Sequence, residues 1–572
     1  QAELNQIAGW LRDHYPKDNQ DRGITFTQLD RELVSDYRPR LLVLLGAVGF
    51  VLLIACANIA NLLLARGANR AMEMAVRLSL GASRRQVLAQ LLTESCVLAV
   101  LGGIASLLVA RWTLSLITSI LPSEAAASFQ LGLSLPVILF AGALSIGTGL
   151  LFGMFPALHS TRPDLVSTIR ANTGQLSSAR SATRFRTSLV TVQIALSMAL
   201  LISAGLFIKS LVNVSRVDLG LEIDHVVTFG VSPELSGYEP ARSQLLFQRL
   251  EAELATVPGV TGVTTARVPL IAGSNWGSDV SVQGFKKGPD TDANARYNEV
   301  GPGYFRTLGV PLLAGREFTE ADILGAPKVA IVNQAFARKF GLGRDAVGKF
   351  MGSNGNDEMD TQIIGLVADA KYSEVKDEIP PLFFQAYRQD STIGSMSYYV
   401  RTSLPPAQLL RTIPSVVARL DPNLPVESLK TMPQQVRENV FLDRMISTLS
   451  AAFAVLATLL AAVGLYGVLA YTVAQRTREI GVRMALGADS GRVRRLVLKQ
   501  VAFMLVIGGA IGIGGALALG RAAQSLLFGL DGHDPMVIAA AVVALALVAV
   551  GAGYIPALRA SRVDPMQALR YE

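Results

Sequence analysis

The sequence has 572 residues, with 52 Lys plus Arg against 44 Asp plus Glu for a formal charge of +8. Its mean hydropathy is +0.40, with 51% hydrophobic and 17% charged residues. Such a composition excludes a disordered chain, and the modest positive balance does not mark a simple nucleic-acid binder. Two cysteines, Cys56 and Cys96, both inside apolar runs, and four scattered histidines exclude a disulfide framework and a Cys/His zinc site.

The chain opens on a hydrophilic stretch that passes Trp10, Asp13 and His14 and runs directly into an apolar segment after Arg38. With no initiator methionine or signal peptide ahead of it, residues 1–38 read as the tail of an outer domain. The start of that domain and an upstream span are expected to precede the sequence. Apolar stretches follow at 41–65, 91–110, 133–158, 188–208, 446–474, 501–520 and 536–558. Each has the roughly 20 residues that a helix needs to cross a ~30 Å hydrocarbon core, so seven membrane spans are expected. Between the fourth and fifth lies a soluble segment, 209–444, of mixed charge and turn dipeptides, which reads as an α+β domain. Strands are expected at 226–231, 260–268, 362–367 and 398–401 from β-branched and aromatic content. Helices are expected at 239–254 and 406–420 from apolar spacing.

Basic residues cluster in alternate loops. Arg66, Arg70, Arg77, Arg84 and Arg85 follow the first span, and Arg162, Arg170, Arg180, Arg184 and Arg186 follow the third. Arg476, Arg478, Arg483, Arg492, Arg494, Arg495 and Lys499 follow the fifth, and Arg559, Arg562 and Arg570 the last. Lys and Arg are retained on the cytoplasmic side, which places these loops and the C-terminus inside, and the N-terminus and 209–444 outside.

The basic loops also carry an internal repeat. At a constant offset of 406, Arg70-Ala-Met-Glu73-Met-Ala-Val-Arg77-Leu-Ser-Leu-Gly81-Ala aligns with Arg476-Thr-Arg-Glu479-Ile-Gly-Val-Arg483-Met-Ala-Leu-Gly487-Ala, identical at seven of thirteen positions. At offset 400, Pro156-Ala-Leu158 matches Pro556-Ala-Leu558, followed by Arg162 with Arg562, Asp164 with Asp564 and Arg170 with Arg570. Two matches in the same order mark a duplicated unit. That unit is one span, one outer domain and three further spans; an even number of spans keeps both copies the same way up, as parallel repeats.

This arrangement, with Arg478-Glu-Ile-Gly-Val-Arg-Met-Ala-Leu-Gly-Ala488 and the outer Tyr304-Phe-Arg-Thr-Leu-Gly-Val-Pro311, resembles the MacB/FtsX-type permeases of ABC transporters. In particular it is similar to the duplicated branch known as acidobacterial duplicated orphan permeases. The resemblance implies an α-helical polytopic membrane protein with an α+β extracytoplasmic domain of the MacB periplasmic core type and two parallel FtsX-like repeats. The expected divisions are a core-domain tail at 1–38, a first three-span module at 39–170 and a cytoplasmic linker at 171–186. A span at 187–208, the periplasmic core domain at 209–444 and a second three-span module at 445–572 complete them.

The resemblance also implies a partner: a separate cytoplasmic ABC ATPase docking on the repeated loops as coupling helices. The residues expected to carry that coupling are Arg70, Glu73, Arg77 and Gly81 in the first copy and Arg476, Glu479, Arg483 and Gly487 in the second. Glu73 and Arg77, like Glu479 and Arg483, stand four apart and can pair on one helix face, and the glycines can stop the helix. A basic amphipathic helix resting on anionic lipid is the competing reading of the same arginines. Met74 and Ala75 replace Ile480 and Gly481 of the second copy, so the halves are not expected to engage a partner equally.

Other chemistry is sparse. Gly343-Arg-Asp-Ala-Val-Gly348-Lys349 satisfies part of a phosphate-binding loop, but Phe350 stands where a magnesium-binding Ser or Thr is required, so a surface turn is expected. The spans offer Asn58, Asn61 and Gln193 but scarcely a titratable group, with Glu94 near a membrane boundary, which argues against an ion-coupled carrier. Gly149 with Gly153, and Gly508 with Gly512, have the spacing that lets helices approach closely. No catalytic constellation, cofactor or metal site is expected. The expected function is the permease subunit of a MacB-like, type VII ABC system in a bacterial inner membrane, passing ATPase motion to outer domains for export or extraction. A periplasmic adaptor or substrate would be the outer partner. The alternative is an FtsX-like signalling or hydrolase-activating protein that transports nothing.

Overall fold

The computed structural model describes residues 2–15, 24, 38–69, 73, 76–77, 80, 82–120, 132–160, 177–286, 288, 291–353, 358–475, 477–486 and 489–562. The chain forms two compact units, Gln1–Leu211 with Met445–Glu572, and Val212–Arg444. In chain order the first unit holds α1 (Ala2–His14), α2 (Arg38–Asn69), α3 (Arg84–Ile120), α4 (Leu135–Ser160) and most of α5 (Ser177–Ser215). The second unit holds α6 (Pro240–Ala255), α7 (Tyr304–Leu308), α8 (Gln334–Lys339), α9 (Pro406–Leu420) and α10 (Met432–Asn439). Helix α11 (Phe441–Gln475) leads back into the first unit, followed by α12 (Thr477–Ala485), α13 (Ser490–Ala522) and α14 (Pro535–Ala560).

Among the described residues, six helices, α2, α3, α5, α11, α13 and α14, are long and apolar enough to cross a membrane. The third expected span is helical as α4, with a shorter described apolar stretch at Leu135–Leu150. Long apolar runs become helices because hydrocarbon offers backbone groups no partner outside the segment. Polar residues then set their ends. Ser83 and Gln86 form a reciprocal cap on α3: the Ser83 N–H donates to Gln86 Oε1 at 2.9 Å and the Gln86 N–H to Ser83 Oγ at 3.4 Å. At offset 406 from Ser83, Asp489 caps α13, accepting from the Gly491 N–H at 3.1 Å. Asp534 caps α14 through the Met536 and Val537 N–H groups and pairs with Lys209 of α5 at 2.5 Å.

Helices α2 and α11 run in the same direction. Val43 and Leu44 at the start of α2 meet Ile446 at the start of α11, and Ile54 further along packs with Ala454 and Ala457. Helix α5 runs against both, since Phe207 joins the first of these clusters and Leu200 the second. Close packing depends on missing side chains. A Cβ on Gly508 would lie 2.7 Å from the Thr191 carbonyl oxygen, and one on Gly512 2.5 Å from that of Ala195, so α13 lies directly against the α5 backbone. In the same way a Cβ on Gly149 of α4 would lie 2.7 Å from the Ala99 Cβ of α3, where Ser145 Oγ donates to the Ala99 carbonyl at 2.7 Å.

The second unit is built on one twelve-stranded sheet in the order β12-β1-β11-β2-β5-β10-β7-β9-β8-β4, with β3 beside β5 and β6 beside β9. The strands are β1 (Val226–Val231), β2 (Val260–Ala266), β3 (Gly277–Asp279), β4 (Ser281–Val282), β5 (Asn294–Val300), β6 (Leu312–Gly315), β7 (Val329–Asn333), β8 (Phe350–Gly352), β9 (Thr361–Val367), β10 (Leu382–Ala386), β11 (Met396–Thr402) and β12 (Glu427–Thr431). Two cores lie on it. Helices α6 and α9 bury Phe247, Leu250, Ile413 and Val417 against Phe229 and Tyr398. Helix α8 buries Phe336, and Phe340 at its C-terminal cap joins it, with Val332, Ile363 and Phe383.

The two halves of the sheet meet where β2 and β5 share a single register pair, Ala266 with Val300. Side chains reinforce that narrow join. Arg267 Nη1 donates to Glu299 Oε2 at 2.8 Å and Asp390 Oδ2 at 2.7 Å, and its guanidinium lies 4.6 Å above the Trp276 ring. Burial pushes the Glu299 carboxyl up to about 7 against the pull of Arg267. The Tyr304 motif is also structural: Gly303 and Gly309, with φ of 67° and 72°, bracket α7, whose Tyr304, Phe305 and Leu308 are buried.

Candidate functional site

The phosphate-loop resemblance at 343–349 dissolves in the fold. Helix α8 precedes it and strand β8 follows, the reverse of the strand-then-helix order that presents free N–H groups to a phosphate. Its backbone donors are spent internally: the Gly348 N–H on the Ile363 carbonyl and the Lys349 N–H on that of Ala346. Among the described residues no cluster of three His, Cys, Asp or Glu side chains could hold a metal ion.

The repeated loops are better ordered for contact than for chemistry. In the first copy Arg77 Nη2 donates to Glu73 Oε1 at 2.6 Å, the i,i+4 pair expected from their spacing. Arg77 Nη1 donates to Gln90 Oε1 at 2.8 Å, which ties the loop to α3. In the second copy Glu479 and Arg483 lie on α12, with Arg483 exposed in its last turn. Arg70, Gly81, Arg476 and Gly487 lie outside the described residues. Ile480 and Gly481, where the first copy has Met74 and Ala75, are buried, and Ile480 packs in the core that contains Val497 and Val501 of α13.

Among the described residues of both loops, four apolar side chains outside the expected coupling set are exposed. Leu80 and Leu486 expose 82% and 83% of their surface, and Val76 and Val482 expose 49% and 40%. The Leu80 N–H donates to the Val76 carbonyl and the Leu486 N–H to that of Val482, each at 3.0 Å, so both copies present the same apolar turn. The signal was present in the alignment, as Val and Leu identical in both copies four residues apart.

A second arrangement joins the copies inside the helices. Asn58 Nδ2 of α2 donates to the Leu460 carbonyl of α11 at 2.8 Å, and Gln193 Nε2 of α5 donates to the Ile54 carbonyl at 3.2 Å. Ile54 and Leu460 are equivalent at offset 406, as are Asn58 and Gly464. Ser197 Oγ adds a bond to the Ala457 carbonyl at 3.1 Å. The fully buried Gln193 and the nearby Asn61 keep amide atoms without a protein partner among the described residues. Polar groups here fasten one copy to the other.

A helical membrane unit that contains the same module twice, coupled by sequence to a large mixed-sheet domain, defines a duplicated permease. An FtsX-like permease C-terminal model matches residues 45–165 and again 451–565, and a MacB-like periplasmic core domain model matches 137–430, just over half of the chain. The starts of the two FtsX matches are 406 residues apart and their ends 400 apart, the two offsets of the internal repeat. The chain belongs to the MacB-like, FtsX-related family of ABC-transporter permeases. It is 24% identical over 292 residues to the uncharacterized ABC transporter permease YknZ of Bacillus subtilis, covering 50% of this chain and 72% of that one. It is 27% identical over 291 residues to the macrolide export ATP-binding/permease protein MacB 1/2 of Paracoccus denitrificans, covering 49% of this chain and 42% of the relative. The alignment thus spans less than half the length of that relative. Among solved structures, the periplasmic region of MacB from Actinobacillus actinomycetemcomitans matches 40% of this chain and 95% of its own at 15% identity and a TM-score of 0.27.

Proposed function

We propose that this chain is the permease of a MacB-type ABC system and that its duplicated loops receive the motion of cytoplasmic ATPase subunits. The reading is carried by one observation: both copies present an exposed Val and Leu in the same hydrogen-bonded turn, Val76 with Leu80 and Val482 with Leu486. A basic amphipathic helix on lipid would also bury apolar residues, so it is the repetition of the same turn in both copies, with Glu repeated beside the arginines, that favours docking. Arg70, Glu73, Arg77 and Gly81, and Arg476, Glu479, Arg483 and Gly487, are the proposed coupling residues around those turns. The basic loops then face the cytoplasm of a bacterial inner membrane, and the unit Val212–Arg444 faces outward to an adaptor or a substrate. ATP hydrolysis resides in the partner, and the work is export or extraction on the outer side.

The test is reconstitution in liposomes with candidate ATPases, comparing hydrolysis for the unaltered chain and for Glu73→Arg combined with Glu479→Arg. Stimulation by the unaltered chain and its loss in the variant support the coupling reading. Equal stimulation by both refutes it. Stimulated hydrolysis without movement of any outer cargo favours the signalling alternative.

A further inference from the structure

We propose that a groove bounded by α11, α12 and α13 binds one anionic phospholipid, whose acyl chain lies along the groove and whose phosphate meets Lys499. The groove encloses about 320 Å3, within the ~300–1,000 Å3 range of small-molecule sites. Its walls are Leu469 and Val473 of α11, Ile480 of α12, and Val497 and Phe503 of α13. Thr472 contributes no free donor, because its hydroxyl donates to the Val468 carbonyl at 2.7 Å. The polar lining that remains is Lys499 and Gln500, side by side on α13.

Lys499 stands at a chemical boundary. It follows Arg492, Arg494 and Arg495 and precedes the apolar run that starts at Val501. At 1.5 Å per residue it lies about 14 Å along α13 from Ser490, where a spanning helix passes from headgroups into hydrocarbon. Lys499 pairs with no carboxylate among the described residues. An apolar slot beside one uncompensated cation at that depth matches a phospholipid, which carries an acyl chain and a phosphate at the same spacing from the membrane surface. The first copy supplies the contrast: at offset 406, Thr93 and Glu94 replace Lys499 and Gln500, and a carboxylate there repels a phosphate. The site is therefore a property of the second copy alone. Because Ile480 forms one wall and also belongs to α12, a lipid in the groove braces the loop proposed to couple to the ATPase.

The inference rests on the proposed placement of α12 at a membrane face, and the experiment separates the two. The full chain is purified from membranes containing phosphatidylglycerol, and retained lipid is counted by native mass spectrometry for the unaltered chain, Lys499→Gln and Val497→Trp. One phosphatidylglycerol on the unaltered chain, lost in Lys499→Gln and in Val497→Trp, which fills the slot but keeps the charge, is the expected result. No retained phosphatidylglycerol on the unaltered chain, or equal retention by Lys499→Gln, overturns the proposal. Retention by Val497→Trp overturns it as well, since the lipid then sits on the basic run outside the groove. Sidedness is read independently by impermeant maleimide on Ser490→Cys in a chain with Cys56 and Cys96 replaced by Ala. Labelling from the outer side refutes the cytoplasmic placement while leaving the lipid count intact.

Discussion

Replacing Leu486 by Ala separates docking through the apolar turn from attraction through charge. Removing three carbon groups forfeits about 2.4 kcal/mol at ~0.8 kcal/mol per buried CH2. Leu486 exposes 83% of its surface, so about 2 kcal/mol of this is available to a partner, or about 30-fold in affinity at ~1.4 kcal/mol per tenfold. Leu80, exposed to 82%, predicts the same loss in the first copy. Neither change should alter the fold, because an exposed side chain contributes within about ±0.5 kcal/mol to stability. Neutralising the Glu73–Arg77 pair by Glu73→Gln instead removes an exposed i,i+4 interaction of only ~0.3–0.5 kcal/mol, about a twofold effect. The assay is ATPase binding to the chain held in nanodiscs, with thermal unfolding of each variant as the control. Unchanged affinity in Leu486→Ala, Leu80→Ala and the double variant, with unfolding temperatures also unchanged, refutes docking through this turn.

Gly512→Val should destabilise the membrane unit, because its Cβ would lie 2.5 Å from the Ala195 carbonyl oxygen, whereas Gly515→Val, with nothing within 4 Å, should be tolerated. Overpacking of this kind costs ~1–3 kcal/mol, and thermal unfolding in detergent distinguishes the two. Asn58→Ala removes the 2.8 Å bond to the Leu460 carbonyl and should cost roughly 1 kcal/mol by the same measurement. The raised Glu299 carboxyl, at about 7 against an ordinary 4.5, contributes stability that is full below 4.5 and is lost as pH rises through about 7. Unfolding of the outer unit, followed by fluorescence of Trp276 beside Arg267, should therefore move to lower temperature as pH rises from about 5 to 8. Glu299→Gln should flatten that slope; an unchanged slope in the variant contradicts the assignment.

Local chemistry was legible in the sequence, and long-range meetings were not. The strand expected at 226–231 is β1, and the helices expected at 239–254 and 406–420 are α6 and α9 within a residue or two, because apolar periodicity reports the face that each element buries. The order of the sheet was not legible: β1 sits between β11 and β12, and β5 pairs with the parallel β10, contacts that no local pattern encodes. Two-residue β4 and three-residue β3 are too short to carry a period at all. The Glu73–Arg77 pair followed from spacing, while the exposure of Leu80 and Leu486 did not, since an apolar residue in a short amphipathic helix is ordinarily its buried face. Asn58 and Gln193 stood out as polar residues in apolar spans, but their meeting, across 135 positions, is a fact of packing alone.

That meeting also explains what a tandem arrangement permits. In a symmetric homodimer, equivalent residues face each other across the axis and must be identical. Here the parallel helices α2 and α11 bring the equivalent positions 58 and 464 together, and they are Asn and Gly. A Cβ on Gly464 would stand 2.5 Å from Asn58 Oδ1 and 2.4 Å from Gln193 Oε1, so a second side chain at the junction would force these two amides to shift. Two glycines would leave the Leu460 carbonyl without the Asn58 amide that now donates to it. The junction as built uses one of each, an asymmetry that two copies in one chain can hold and a strictly symmetric pair of identical chains cannot. The same freedom separates Ile480 and Gly481 from Met74 and Ala75, and Lys499 and Gln500 from Thr93 and Glu94, while the exposed Val and Leu of both loops stay matched. Of the diverged positions Ile480 and Gly481 are buried against the other helices and Lys499 is exposed, whereas the matched Val and Leu of both loops present the same face outward.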